Sequence, residues 1–152
     1  MTSGELTIRK MPDAIREEAE KGGLREADCL FCARADLDSD GEPREVWRVV
    51  TRTRIASLAV AEGRVEPLCG PLDLAHVGKA RSRQTVGSAF LQFMVDGVYI
   101  DAVRYSNGRR ELFGRVRTEL ERLIEGETFQ EEALTRPSER MCQVCGLPLP
   151  GK

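Results

Sequence analysis

Two C-x-x-C pairs constrain this chain more than any other feature of its sequence. The pairs are Cys29 with Cys32 and Cys142 with Cys145, and a fifth cysteine, Cys69, stands alone. A two-residue spacing lets one tight turn aim both thiolates at a single ion, and two such pairs are typical of a tetrahedral metal site. An odd number of cysteines, behind an N-terminus without the pattern of a secretory signal, argues against a disulfide framework. We therefore predict a metal site that ties the N-terminal region to the C-terminal tail.

The ligands of this site are predicted to be the four paired cysteines, with Zn²⁺ as the ion and an iron–sulfur cluster as the alternative. A rival set replaces the C-terminal pair with Cys69 and His76. Leu72 counts against the rival, because it occupies the position three residues after Cys69 where a further ligand would complete the motif. A site closed by four thiolates leaves no position for a substrate, so we expect it to be structural.

Composition places the chain among ordinary globular domains. It has 152 residues, of which 41% are hydrophobic and 32% charged, with a formal net charge of −2. That length fits one domain with a short appendage, and the apolar content is sufficient for a buried core. No apolar run is long enough to cross a membrane, so we expect a cytoplasmic protein without a membrane partner.

Charge is segregated along the chain. Residues 1–43 carry 6 basic and 11 acidic side chains, residues 79–117 carry 8 and 3, and residues 118–152 carry 4 and 7. The small net charge is therefore the sum of a basic central segment and two acidic ends. Binding of nucleic acid requires a local basic footprint of this kind.

The spacing of apolar residues and the positions of glycine and proline predict a mixed α+β chain. A short helix is expected from Asp13 to Lys21, opened by a proline and closed by two glycines. Helical spacing of apolar residues predicts further helices over 55–62, 84–95 and 118–125, and residues 72–77 suggest a short one. A strand is expected over 98–105, followed by an Asn-Gly hairpin turn and a return strand over 110–116.

The predicted elements follow one another as helix, turn, helix, hairpin with a basic tip, and helix. This order resembles a winged helix-turn-helix domain of the MarR or GntR type over about residues 53–125. From Val86 the spacing Val86, Phe90, Phe93, Gly97 resembles that family's run through its recognition helix into its second strand. The predicted fold is thus a winged-helix core stapled by the four-cysteine zinc site. Its predicted divisions are an acidic N-terminal segment with the first cysteine pair (1–45), the core (46–125), and a linker with the second pair (126–152).

The resemblance implies which side chains would contact DNA. The start of the second helix of the pair would face base edges in the major groove, the wing would touch backbone, and basic residues nearby would position on phosphates. The residues that take these roles are Lys79, Arg81, Arg83, Gln84, Thr85, Ser88, Arg104, Arg109 and Arg110.

The sequence-based hypothesis for function is a DNA-binding protein, either a transcriptional regulator or a phage-type accessory factor. The first alternative is a non-enzymatic adaptor that docks on RNA polymerase or another nucleoprotein machine, and the second is a degenerate HNH-like nuclease. We expect no enzyme activity, because the chain has one histidine and carries neither a P-loop nor a zinc-deaminase pattern. A homodimer is left open.

Overall fold

A computed structural model of the chain describes residues 5–135. These residues form eight strands and three helices, with single 3₁₀ turns at Glu26–Asp28, Leu74–His76 and Asn107–Arg109. In chain order the elements are β1 (Leu6–Ile8), α1 (Asp13–Lys21), β2 (Cys29–Leu37), β3 (Pro43–Thr51), β4 (Arg54–Ala61), β5 (Arg64–Asp73), β6 (Val77–Thr85), β7 (Ser88–Val95), β8 (Val98–Ser106), α2 (Arg110–Ile124) and α3 (Glu132–Thr135).

All the strands belong to one antiparallel sheet, with the order β5-β4-β3-β2-β8-β7-β6. Two meanders, β2–β5 and β6–β8, meet where Leu37 of β2 pairs with Arg104 of β8. The short β1 pairs with the first part of β2, beside the same edge that β8 uses. Neighbouring strands that follow one another in sequence are joined by short connections, the usual way to build such a sheet.

The sheet bends so that β3 and β4 face β7 and β8. Arg48 of β3 packs over the ring of Phe93 on β7, and Ser57 of β4 donates to the carbonyl of Ala102 on β8. Helix α2 closes this inner core with Leu112, Phe113, Val116 and Leu120. On the opposite face of β2–β4, helix α1 packs Ile15 and Ala19 into a second apolar cluster with Trp47 and Leu58.

The predicted winged helix-turn-helix is wrong, because the described part of the chain is mainly β. Residues 55–62, predicted as the first helix, form most of β4, and residues 84–95, predicted as the recognition helix, form a hairpin of β6 and β7 around Val86 and Gly87. Ala89, Leu91 and Phe93 point into the core with a period of two, while Val86 is fully exposed. The helical stripe in this segment was a coincidence of spacing within an alternating strand.

The predicted wing is also wrong. Strand β8 does extend as predicted, from Val98 to Ser106, but the Asn-Gly dipeptide then enters a 3₁₀ turn that leads into α2. Leu112, Phe113, Val116 and Leu120 lie on one face of that helix and are buried, so residues 110–116 cannot form a return strand. The prediction of α1 is confirmed from Asp13 to Lys21.

The zinc site predicted as part of the fold is not seen within the described residues, which include only its first cysteine pair. Residues 5–135 contain no group of three or more histidine, cysteine or acidic side chains placed to hold a metal ion. Among the same residues no helix is long and apolar enough to cross a membrane; the longest, α2, has 15 residues.

Candidate nucleic-acid interface

Three arginines share one open face of the β6–β8 meander. Arg81 and Arg83 are alternate residues of β6 and so point to the same side, and Arg104 of β8 lies in the same cross-strand row as Arg83, with Phe90 of β7 between them. Helix α2 packs on the other side of this meander, and no helix within residues 5–135 packs against the arginines. Arg81 and Arg83 are accordingly exposed, and Arg104 is half-buried.

Aromatic rings hold these guanidinium groups in place. Arg83 and Arg104 lie over the ring of Phe90, with their guanidinium carbons 4.5 and 4.9 Å from its centre. Arg81 lies 3.5 Å above the ring of Tyr99. Stacking on a ring restricts the side chain while leaving the edge of the guanidinium free to donate. The three arginines are therefore partly ordered before any partner arrives.

Hydrogen bonds fix the same groups from the side. Arg81 Nε donates to Gln92 Oε1 at 2.9 Å, and Gln92 Nε2 donates to Asp101 Oδ1 at 2.7 Å. Arg83 Nη2 is 3.8 Å from Asp101 Oδ1, which makes a loose ion pair. One carboxylate thus faces three guanidinium groups, and the face keeps a net positive charge.

Two hydroxyl groups extend the face toward the β6–β7 turn. Thr85 Oγ1 and Ser88 Oγ are 2.6 Å apart, and Arg104 Nε donates to Ser88 Oγ at 3.1 Å. Arg104 Nη1 also donates to the carbonyl of Ser39 in the β2–β3 turn, at 3.2 Å. We call the whole set the arginine face: Arg81, Thr85 and Arg83 on β6, Ser88, Phe90 and Gln92 on β7, and Tyr99, Asp101 and Arg104 on β8.

Five of the nine predicted DNA contacts lie on the arginine face, although the fold that suggested them is wrong. They are Arg81, Arg83, Thr85, Ser88 and Arg104. Gln92, Tyr99 and Asp101 were not among the predicted contacts, and Phe90 was named only as part of the apolar spacing of the predicted recognition helix. The alternation of Arg81 with Arg83 was the available signal, since two like residues separated by one position share a face only in a strand.

The other four predicted contacts lie elsewhere. Lys79 lines a groove of about 350 Å³ with Glu121 and Glu125 of α2. Gln84 is exposed on the side of β6 away from Arg83. At the start of α2, Arg109 pairs with Glu5 and Arg110 donates to Asn107. These residues do not extend the arginine face.

The first cysteine pair is buried beneath α1. Cys29 and Cys32 are 3% and 0% exposed, and their sulfur atoms are 3.8 Å apart. A hydrogen bond from Cys32 lowers the pKa of Cys29, and the same bond, together with burial, raises the pKa of Cys32. The pair therefore shares one proton more readily than it releases both.

The predicted metal ligands are only partly described. Cys142 and Cys145 lie outside residues 5–135, so the four-cysteine ligand set stays a prediction, as does the choice between zinc and iron–sulfur. The rival set is wrong, because its members are described and do not converge. Cys69 packs against the inner core on β5, whereas Cys29 and Cys32 belong to the cluster under α1.

The lone histidine lines a different cleft, of about 430 Å³, between the ends of β5 and β7. In this cleft Asp73 lies between Arg54 and His76. Arg54 Nε is 3.2 Å from Asp73 Oδ1, and His76 Nδ1 is 3.8 Å from Asp73 Oδ2. His76 is largely exposed, and neither its position nor its partner makes it a metal ligand.

Comparison with known proteins adds no family to this description: no family model, curated protein or solved structure matches the chain. The class that fold and site define is a mainly antiparallel β domain with one open, positively charged face.

Proposed function

We propose that this chain is a non-catalytic binding module that holds the phosphate backbone of DNA on the arginine face, in the cytoplasm. The observation that carries the proposal is the set of three guanidinium groups, ordered on aromatic rings, on a sheet face that no described helix covers. Free Cys29, Cys32 and Cys69 suit a reducing compartment.

Phosphate groups suit this surface for geometric reasons. Arg81 and Arg83 are two positions apart on one strand, about 6.6–6.8 Å along the sheet. Each guanidinium presents a planar set of donors that matches the oxygens of a phosphate, and the stacked rings keep those donors pointing outward. Successive phosphates of a backbone can therefore be bound without rearranging the face.

The arginine face contains no element that could read a base sequence in the major groove. A groove admits a helix or a two-stranded ribbon, and here the basic groups lie across three strands of a broad sheet. Contacts to phosphate position a protein but carry no sequence information. We therefore expect binding that depends on salt far more than on base sequence.

The test is fluorescence anisotropy with mixed-sequence DNA, single-stranded and duplex, at two or more salt concentrations. Replacing Arg81, Arg83 and Arg104 by alanine together should abolish most of the affinity. The slope of log affinity against log salt should fall by up to about 2 on single strands, since each lost phosphate contact contributes roughly 0.7. Asp101→Asn should strengthen binding, because it removes the carboxylate from the face.

The matched control replaces three exposed arginines outside the arginine face, Arg25, Arg52 and Arg64, by alanine. This variant changes net charge by the same amount, so it separates a local site from general attraction between opposite charges. Absence of DNA binding by the wild type at low salt, or equal losses in the two triple variants, would refute the proposal. The alternative of a protein adaptor that uses the same basic face for an acidic partner would then take its place.

A further inference from the structure

An arginine lies wholly inside the core. Arg48 of β3 is 0% exposed, with Nη1 donating to Ser57 Oγ at 2.6 Å and the guanidinium carbon 4.6 Å from the centre of the Phe93 ring. Its Nε and Nη2 have no hydrogen-bond partner among residues 5–135. Burial lowers the pKa of Arg48 to about 10. A buried cation with two donors that lack a hydrogen-bond partner is costly unless a negative charge lies beside it.

The side chain that can meet this cation is that of Cys69. Arg48, Ser57 and Cys69 lie opposite one another on β3, β4 and β5, which brings their side chains to one face of the sheet. A negative charge on Cys69 opposes the effect of burial and raises the pKa of Arg48. Ser57 donates its own proton to the carbonyl of Ala102 at 2.7 Å, which leaves its oxygen to accept from Arg48.

The backbone around Cys69 is irregular on both sides. The register between β4 and β5 shifts before and after the pair formed by Ser57 and Cys69. Directly after the cysteine, Gly70 approaches β4 so closely that an added Cβ would lie 2.7 Å from the carbonyl oxygen of Ile55. Bulges of this kind re-aim side chains. Here they accompany a cysteine that is half-buried and thus still reached from solvent.

We propose that Cys69 is a reactive thiol, held beside the buried guanidinium of Arg48, and that hydroperoxides oxidise it to the sulfenic acid. The thiolate electron pair attacks one peroxide oxygen; the S–O bond forms as the O–O bond breaks. The other oxygen leaves as hydroxide or alkoxide, so sulfur is oxidised and the peroxide is reduced. Arg48 acts as a positioning residue, because its guanidinium belongs to the same cross-strand row as the attacking sulfur.

Disulfide formation with the first cysteine pair is not expected to follow. Cys29 and Cys32 lie in the cluster under α1, on the opposite face of the sheet from the core that contains Arg48. Neither of these two cysteines is placed to attack a sulfenic acid on Cys69. This inference is independent of the arginine face and of the proposed DNA binding.

The experiment treats the 152-residue chain with hydrogen peroxide, traps sulfenic acid with dimedone, and measures the adduct on Cys69 by peptide mass spectrometry. Cys69 in the folded chain should be oxidised at least about tenfold faster than in the same chain unfolded in urea. Arg48→Met should lower the rate by about tenfold, whereas Arg48→Lys, which keeps the charge, should stay within about threefold of the wild type.

Each variant is checked for folding by the fluorescence of Trp47 before its rate is used. Equal rates for the folded and the urea-unfolded wild type would overturn the proposal, and so would a folded Arg48→Met variant with an unchanged rate. If Arg48→Met does not fold, the comparison of folded with unfolded wild type decides, with Cys69→Ser as the blank.

Discussion

At the scale of the residue, the tight contact at Gly70 gives a test of how β5 is held. Gly70 has φ +85° and, as noted above, no room for a side chain, whereas Gly63 has φ +81° and nothing within 4 Å of an added Cβ. Gly63→Ala should lower the free energy of unfolding by about 1–2 kcal/mol, the cost of a left-handed φ. Gly70→Ala should cost about 1–3 kcal/mol more, because of the clash. Urea unfolding measures both, and equal losses would contradict the packing described here.

Glu26 links the stability of the domain to pH. The backbone N–H of Met11 donates to its carboxylate at 2.9 Å, and Arg16 Nε donates at 3.1 Å; both lower the pKa of Glu26 below its usual 4.5. Because the folded pKa is the lower one, the stabilisation is present above the unfolded pKa and is lost as pH falls through the folded pKa.

The corresponding variant is Glu26→Gln. It should be less stable than the wild type at neutral pH, and the difference in the free energy of unfolding should shrink as pH falls below about 4.5. Urea unfolding at a series of pH values measures this difference, with Glu17→Gln as the control for removing one charge from an exposed position. A difference that stays constant down to the acid limit would rule out the linkage.

At the scale of the element, α2 should respond to substitution as an amphipathic helix. Leu120 is 0% exposed, so Leu120→Ala should lower the free energy of unfolding by about 2–5 kcal/mol. Thr118, two positions earlier, is exposed, and its hydroxyl donates to the carbonyl of Gly114 within the same helix. Thr118→Ala should therefore change the free energy of unfolding by less than about 0.5 kcal/mol. Thermal unfolding measures both, and similar effects would mean that this face of α2 does not pack on the sheet.

Some elements could be predicted from the sequence and others could not. Helix α1 and strand β8 carry their own signals, a proline-led helix start for one and β-branched residues for the other, and both predictions were confirmed. In β4 the residues from Ile55 to Ala59 are all buried, because α1 covers one face of the sheet and the inner core covers the other. A strand buried on both faces loses its alternation, so its apolar residues fit helical spacing equally well.

For the candidate site, several member residues could be named from the sequence, but their arrangement in space could not. The basic segment was predicted from charge alone, which does not depend on the fold, whereas Arg81, Arg83 and Arg104 were chosen through the winged-helix resemblance, which is wrong. Their grouping could not be predicted, because it depends on the pairing of β6, β7 and β8 and on the ring of Phe90 beneath the arginines. Arg48 was equally hidden, since nothing in its local sequence distinguishes an arginine in the core from the exposed ones nearby.

At the scale of the whole molecule, the two meanders should unfold as one unit. Their mutual contacts are interior ones: Arg48 with Phe93, Ser57 with the carbonyl of Ala102, and the pairing of β2 with β8. Each meander alone would expose the inner face that the other covers, so neither should persist after its partner melts.

The chain carries a separate spectroscopic probe in each half. Its one tryptophan, Trp47, is on β3, and its two tyrosines, Tyr99 and Tyr105, are on β8. Urea unfolding of the wild type is followed by tryptophan fluorescence. Unfolding of Trp47→Phe is followed by near-ultraviolet circular dichroism, for which tyrosine is then the main source of signal. In each protein the midpoint should agree with that of the far-ultraviolet circular dichroism. A tyrosine transition that precedes or follows the backbone transition would show that β6–β8 and α2 open separately. The arginine face would then belong to a mobile unit instead of a rigid sheet, and the preordering of its guanidinium groups would no longer explain binding.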